Sequence, residues 1–211
     1  MSLCCRFCGE SLAHTFVDLG TSPVSNAFLP PDRLEAMEPH FPLHVRVCAN
    51  CLLVQLPAFE APEDIFSADY AYFSSFSDSW LEHCRRYAEA MCQKLSLGAD
   101  SLVVELASND GYLVQYFVSR GVPVLGVEPA ATVAAAAREK GVETVCAFFG
   151  RNLAQKLKDE GRRADLLVGN NVLAHVPDVN DFVGGIKILL AENGVATLEF
   201  PHLLRLMEEN Q

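Results

Sequence analysis

The sequence predicts an α/β protein in which a parallel, doubly wound sheet follows a small cysteine-rich module. Two observations predict it. After residue 70, short apolar runs alternate with amphipathic helical patterns, the mark of βαβ units around a parallel sheet. Before residue 70, two CxxC pairs lie among prolines and short apolar runs. The chain therefore divides into a module over 1–70 and an α/β domain over 71–211.

The module comes first. Cys5 and Cys8 lie in CRFCG, and Cys48 and Cys51 in CANC. Two residues between thiols let both sulfurs turn onto one cation, and two such knuckles supply four thiolates to a tetrahedral zinc. Gly9 suits the tight knuckle turn. Four thiolates leave no open position, so this zinc-ribbon-like site reads as structural. Four buried cysteines without metal is the plain alternative. The eight cysteines come with no secretion signal, which argues against a disulfide framework. No strand–helix unit flanks either CxxC, which argues against a redox pair. Cys84, Cys92 and Cys146 fall in helix or strand patterns and read as packing residues.

The α/β elements follow in order. SDSWLEHCRRYAEAMCQKL is a long helix capped by Ser77 or Asp78, with Leu81, Cys84, Ala88, Met91 and Leu95 on one face. SLVVELA is a buried strand. GYLVQYFVSRG is a helix ending at Gly121. VPVLGVEP, VETVCAFFG and ADLLVGNN supply three more strands. AATVAAAAREKG and RNLAQKLKDEG are the helices between them. DVNDFVGGIKILLAENG is a fourth helix, and VATLEFP a fifth strand. A domain of this class continues past that strand, so the sequence predicts a sheet incomplete at its C-terminus. Its uncovered edge would favour self-association.

Charge and hydropathy narrow the function. The formal net charge is −11, which repels nucleic-acid backbones but leaves room for a small anionic ligand bound by local N–H donors. No apolar run reaches the roughly 20 residues of a membrane span. MSLCCRFCGE lacks the apolar middle of a signal peptide, so a cytoplasmic protein is expected.

The loop after the first α/β strand carries the chemistry. It reads Glu105, Leu106, Ala107, Ser108, Asn109, Asp110, Gly111. Class I S-adenosylmethionine (SAM) methyltransferases carry acid-x-G-x-G-x-G there. Here the glycine positions hold Ala107, Asn109 and Gly111. Alanine keeps the side chain small, and asparagine tolerates positive φ better than most residues. A dinucleotide pattern would place its third glycine at Tyr112, where helix–strand packing wants a small residue. An ordinary strand–turn–helix is the bland alternative. Glu128 ends the second strand, where a carboxylate can accept both ribose hydroxyls; a solvated acid is its alternative. Phe148 and Phe149 end the third strand, either beside an adenine ring or in the core. Asn170, Asn171 and His175 follow the fourth strand, at the edge where open α/β sheets hold ligands. His175 alternatively only packs or bonds to backbone.

These residues resemble a particular family, the sugar C-methyltransferases of deoxysugar biosynthesis. The paired CxxC with DLGTSPVSNAFL, then DYAYFSSFSDSW, then ELASNDGYL with VEPA, NNVLAHVPD and EFPHL carry the resemblance along essentially the whole chain. It implies an N-terminal zinc module, a SAM-binding domain and a further C-terminal domain, which is absent here. It implies Cys5, Cys8, Cys48 and Cys51 as zinc ligands. Ala107, Asn109, Gly111, Glu128 and Asn170 would border SAM, with Glu105, Ser108, Phe148 and Asn171 beside them. Tyr72 resembles the family's active-site tyrosine, ahead of Tyr70, and His175 its active-site histidine. The family's Tyr-x-Glu-His segment, whose histidine is held to be the base, does not occur in this chain. The implied substrate is a nucleotide-linked 4-keto deoxysugar, methylated beside the ketone through an enolate. A protein or RNA methyltransferase, or a non-catalytic zinc- and SAM-binding fragment, are the alternatives.

Overall fold

The computed structural model describes residues 3–66, 70 and 72–210. Ala71, where the sequence places the start of the α/β domain, lies outside them, as do the two chain ends Met1 and Gln211. Two compact units divide the chain: residues 1–71 with 177–180, and residues 72–176 with 181–211.

In the first unit, β1 (His14–Ser22), β2 (Phe41–Val47) and β3 (Val54–Gln55) form an antiparallel sheet in the order β1-β2-β3. A single-turn helix, α1 (Pro62–Ile65), follows. The buried apolar cluster is small: Cys5, Leu12 and Cys48, with Leu3, Cys51 and Leu53 against them. A unit of this size with so little core needs another source of stability, and a metal is the usual one.

The second unit opens with α2 (Asp78–Leu95). Its N-cap is Ser77, whose hydroxyl accepts the Trp80 N–H at 3.3 Å. Then come β4 (Val103–Leu106), α3 (Gln115–Val118), β5 (Val124–Val127), α4 (Ala131–Glu139), β6 (Thr144–Val145), α5 (Arg151–Asp159), β7 (Ala164–Asn170), α6 (Val179–Leu189, its first two residues counted with the first unit), β8 (Leu190–Glu199) and α7 (Leu203–Glu208). The five strands run parallel in the order β6-β5-β4-β7-β8. The chain lays strands on one side of β4 and then returns to the other, so the switch point falls between β4 and β7.

Strand alternation sorts side chains between two cores. Val103 faces α2 and α3 with Cys84, Ala88, Leu113 and Phe117. Val104 and Leu106 face the other way, with Leu157, Leu167 and Ile186. All three β4 apolar residues are fully buried, worth about 1.5–3 kcal/mol each in removal from water.

Four elements differ from expectation. The third strand, expected to reach Phe149, stops at Val145, because only Gly126 and Val127 of β5 pair with it. The helix expected from Gly111 starts at Gln115. Its opening is a run of turns, with Tyr116 N–H bonded to Leu113 and Gln115 N–H to Gly111. The fourth helix ends at Leu189 and β8 begins at once. Leu190 pairs with Ala164, then the register jumps to Leu166 opposite Val195. LLRLME, beyond the expected fifth strand, forms α7.

Candidate functional site

The first candidate site is the cysteine cluster. The first knuckle turns at Gly9, with φ of 77° and its N–H on the Cys5 carbonyl at 2.9 Å. The second turns at Leu52, with φ of 63° and its N–H on the Cys48 carbonyl at 3.0 Å. A leucine in the left-handed region carries a steric cost that glycine does not. The Sγ atoms of Cys5, Cys8, Cys48 and Cys51 lie within 4.8 Å of one another. Cys5 to Cys51 is 3.6 Å and Cys8 to Cys48 is 3.5 Å. Zinc–sulfur bonds of about 2.3 Å place tetrahedral sulfurs about 3.8 Å apart, so the set fits zinc. Burial raises the Cys5 thiol, but N–H bonds from Cys8 and Phe7 and the Gln55 amide outweigh it and bring it to about 6. The Cys51 N–H likewise lowers Cys48. Cys51 goes the other way: its bond to Leu53 lowers it, but burial and Cys5, Cys48 and Cys8 outweigh that and push it up to about 12, so the thiols of the set do not ionise alike.

The second candidate site is the loop from Glu105 to Gly111. Ala107, Asn109 and Gly111 all take positive φ, at 54°, 48° and 75°. The pattern's three glycine positions therefore keep a glycine's backbone even where the residue is not glycine. Only Gly111 has no alternative. A Cβ there would stand 2.9 Å from the Val142 Cγ2 and 3.5 Å from the Ala137 Cβ.

Glu128, at the end of β5, holds this loop. Its carboxylate accepts the Asn109 N–H at 3.0 Å and the Ala130 N–H at 2.9 Å. Burial raises its pKa against those two bonds. Each oxygen keeps a second lone pair for a ligand hydroxyl. Glu105 is on the Val103 face of β4 and fully buried. Burial pushes it well above the usual carboxylate range. The Tyr112 hydroxyl and Val114 N–H pull it down, and Glu128 and Asp110 push it up. Neither Glu105 oxygen has a partner of good hydrogen-bond geometry, and the same is true of Ser108 Oγ and Asp110 Oδ1. Ser108 is buried, and a Cβ on Gly126 of β5 would press against its side chain. Its backbone is engaged within the fold, the N–H on the Val127 carbonyl at 3.2 Å and the carbonyl accepting the Gly111 N–H at 3.0 Å.

Tyr72 is joined to the loop. Its carbonyl accepts the Asn109 Nδ2 at 3.0 Å, and the Ser74 N–H donates to Asn109 Oδ1 at 2.8 Å. Its side chain is about half exposed. Tyr70 stacks edge-on against Phe66, ring centroids 5.2 Å apart. Beside Asn109, the buried Asp110 carboxylate takes Lys140 Nζ at 2.7 Å, and the same ammonium reaches Ser75 Oγ at 2.6 Å. Sequence reasoning missed Lys140 and Ser75, because nothing local links positions 30 and 35 residues from Asp110.

The remaining candidates lie along the C-terminal edge of the sheet. Asn170 is the last residue of β7, nearly buried, and opposite Glu199 in the register. Asn171 is exposed, with φ of 52°, and its N–H donates to the Glu199 carbonyl at 2.7 Å. His175 ends a helical turn past β7 and is exposed. The two phenylalanines part: Phe149 packs edge-on against Phe182 at 5.5 Å, while Phe148 stays 41% exposed. A pair that the sequence did not suggest also sits here. His83 Nε2 meets Glu199 Oε2 at 2.9 Å, with Trp80 stacked on the imidazole at 5.0 Å.

Comparisons with known proteins bear on the two parts of the chain in turn. A family model described as "Putative zinc binding domain" matches residues 5–66, and one described as "Methyltransferase domain" matches 80–210. Over 207 residues the chain is 32% identical to the C-methyltransferase NovU of Streptomyces niveus, covering 98% of this chain and 49% of that one. Over 155 residues it is 27% identical to the ubiquinone biosynthesis O-methyltransferase of Rhodopseudomonas palustris (strain BisA53), covering 62% and 61%. The chain thus spans about half of the first relative and three fifths of the second. Among solved structures, the PH0226 protein of Pyrococcus horikoshii OT3 shares the fold at a TM-score of 0.51 and 18% identity, covering 70% of this chain and 66% of that one.

Proposed function

We infer the reaction from one premise: this chain belongs to the SAM-dependent methyltransferases. We propose that the protein of which it forms part methylates carbon, and that the acceptor is the carbon beside the ketone of a nucleotide-linked 4-keto deoxysugar. The kinship with a C-methyltransferase supports carbon over oxygen as the acceptor.

The observation that carries the proposal is the run of three left-handed residues at the sheet's switch point, backed by Glu128. Such a backbone lets a ligand come close to the loop's main chain, while the N–H groups of Ser108, Asn109 and Gly111 are held by Val127, Glu128 and Ser108. The buried Asp110 Oδ1, which accepts no hydrogen bond within the fold, is consistent with a ligand that brings its own donor. The fit is to SAM: Ala107, Asn109 and Gly111 would line its backbone path, Glu128 its ribose, and Asn170 and Asn171 the edge beside them. Phe148 would offer its exposed ring to the adenine. When bound, SAM supplies an electrophilic methyl on a sulfonium, which leaves as a neutral thioether.

The residues of this chain then act on the sugar. Removal of the proton next to the ketone leaves an enolate, and the Tyr72 hydroxyl donates a hydrogen bond to its oxygen. His175 orients the sugar or carries the proton. The four-cysteine zinc holds the module and takes no part, because a closed tetrahedral shell binds no substrate.

Calorimetry tests both halves. S-adenosylhomocysteine is expected to bind one per chain, and TDP-4-keto sugar to bind only afterwards. Binding of the first without the second, in the full-length protein, removes the sugar. Binding of neither removes the cofactor.

A further inference from the structure

Asn109 poses a problem that its backbone does not solve. At φ of 48°, glycine would sit without the steric cost that any Cβ brings to the left-handed region. Asparagine bears that cost, and it is nearly buried as well. Its side chain must return something.

Every polar group of the residue's donor and acceptor set on this side is engaged. The backbone N–H goes to Glu128. The amide oxygen takes the Ser74 N–H, and the amide nitrogen gives to the Tyr72 carbonyl. A primary amide carries the same donor and acceptor as a peptide group. Here it pairs with residues 72 and 74 much as a neighbouring strand would. Asp110 and Lys140 add a second tie, to Ser75.

We propose that Asn109 is a positioning residue, whose side-chain amide straps the Tyr72 segment to the cofactor loop. The left-handed backbone belongs to the cofactor side, and the amide belongs to the substrate side. One residue therefore couples loop formation to the placement of Tyr72. The claim that this coupling serves methyl transfer rests on the function proposed above; the strap itself does not.

Asn109→Gly separates the two roles, since glycine keeps the backbone and deletes the amide. Hydrogen exchange in the full chain should show the Ser74 amide exchanging about tenfold faster. Affinity for S-adenosylhomocysteine should change by less than about threefold, while kcat falls at least tenfold with KM for SAM held. Asn109→Asp keeps the acceptor for Ser74 and loses the donor to Tyr72. It should raise the same exchange only about two- to fivefold, and it decides the matter if the glycine variant fails to fold. Unchanged exchange over 72–76 in both variants overturns the strap. Loss of cofactor affinity in step with the exchange overturns the division of roles. A wild-type chain that ignores S-adenosylhomocysteine would sink the cofactor reading, with the exchange result still judging the strap.

Discussion

Four thiols meet in the first unit, and three left-handed residues meet in the second. In the cysteine cluster the function is chemical, and each ligand is a side chain with no substitute. In the loop after β4 the function is geometric, and it lies in the backbone. Ala107 and Asn109 differ from glycine and from each other, yet adopt the same hand as Gly111. The cluster shows the same latitude where only geometry is asked: Leu52 makes the turn that Gly9 makes. A side-chain site thus depends on residue type, whereas a backbone site can be built from other residues wherever the surroundings leave room for a Cβ.

The comparison breaks first at the metal. Cys48→Ser removes a ligand from a closed site whose zinc is worth about 10–16 kcal/mol in small domains. We expect metal analysis to drop from about one zinc per chain to well under half. Residues 3–66 should lose protection in hydrogen exchange. A variant that stays metal-loaded and protected would show that apolar packing alone holds the module.

Gly111→Ala comes next. It adds a Cβ 2.9 Å from Val142 at φ of 75°, so clash and strain add. Unfolding free energy should fall by about 2–4 kcal/mol, read by urea denaturation. A loss below about 1 kcal/mol would mean that all three positions are as tolerant as Ala107.

Glu105→Gln is smaller and depends on pH. Folding holds the Glu105 proton more tightly than the unfolded chain does. Its contribution is thus fully present below the unfolded value of about 4.3 and is lost as pH rises through the folded one. Glutamine keeps the size and drops the titration. The variant should gain Tm over wild type as pH is raised from 5 to 8, by about 2–4 °C per kcal/mol recovered. Parallel Tm curves would mean that Glu105 is ionised in the fold.

Ala107→Gly is the mildest. It relieves a left-handed Cβ and adds freedom to the unfolded chain, so the two effects nearly cancel, within about 1 kcal/mol. A large loss would show that the Ala107 methyl packs against something essential.

Much of this was readable from residue order. The alternation after residue 70 gave the strand and helix sequence, because period and capping are local properties. Cys5, Cys8, Cys48 and Cys51 were readable because a knuckle is a matter of spacing. The short third strand was not, because its length depends on how much of β5 it meets. The early start of β8 was equally hidden, because Leu190 becomes strand only by pairing with Ala164. Phe148 and Phe149 are adjacent and identical, and only packing against Phe182 decides which of them faces inward.

The sequence by itself determined the parallel α/β order, the four thiolates and the place of the loop, since each depends on neighbours a few positions apart. Tertiary structure alone decided that Ala107 would take a glycine's conformation, and that Asn109 would reach back 35 residues to Ser74. Such choices depend on what the folded chain brings alongside, and a distant hydrogen bond leaves no mark in local residue order.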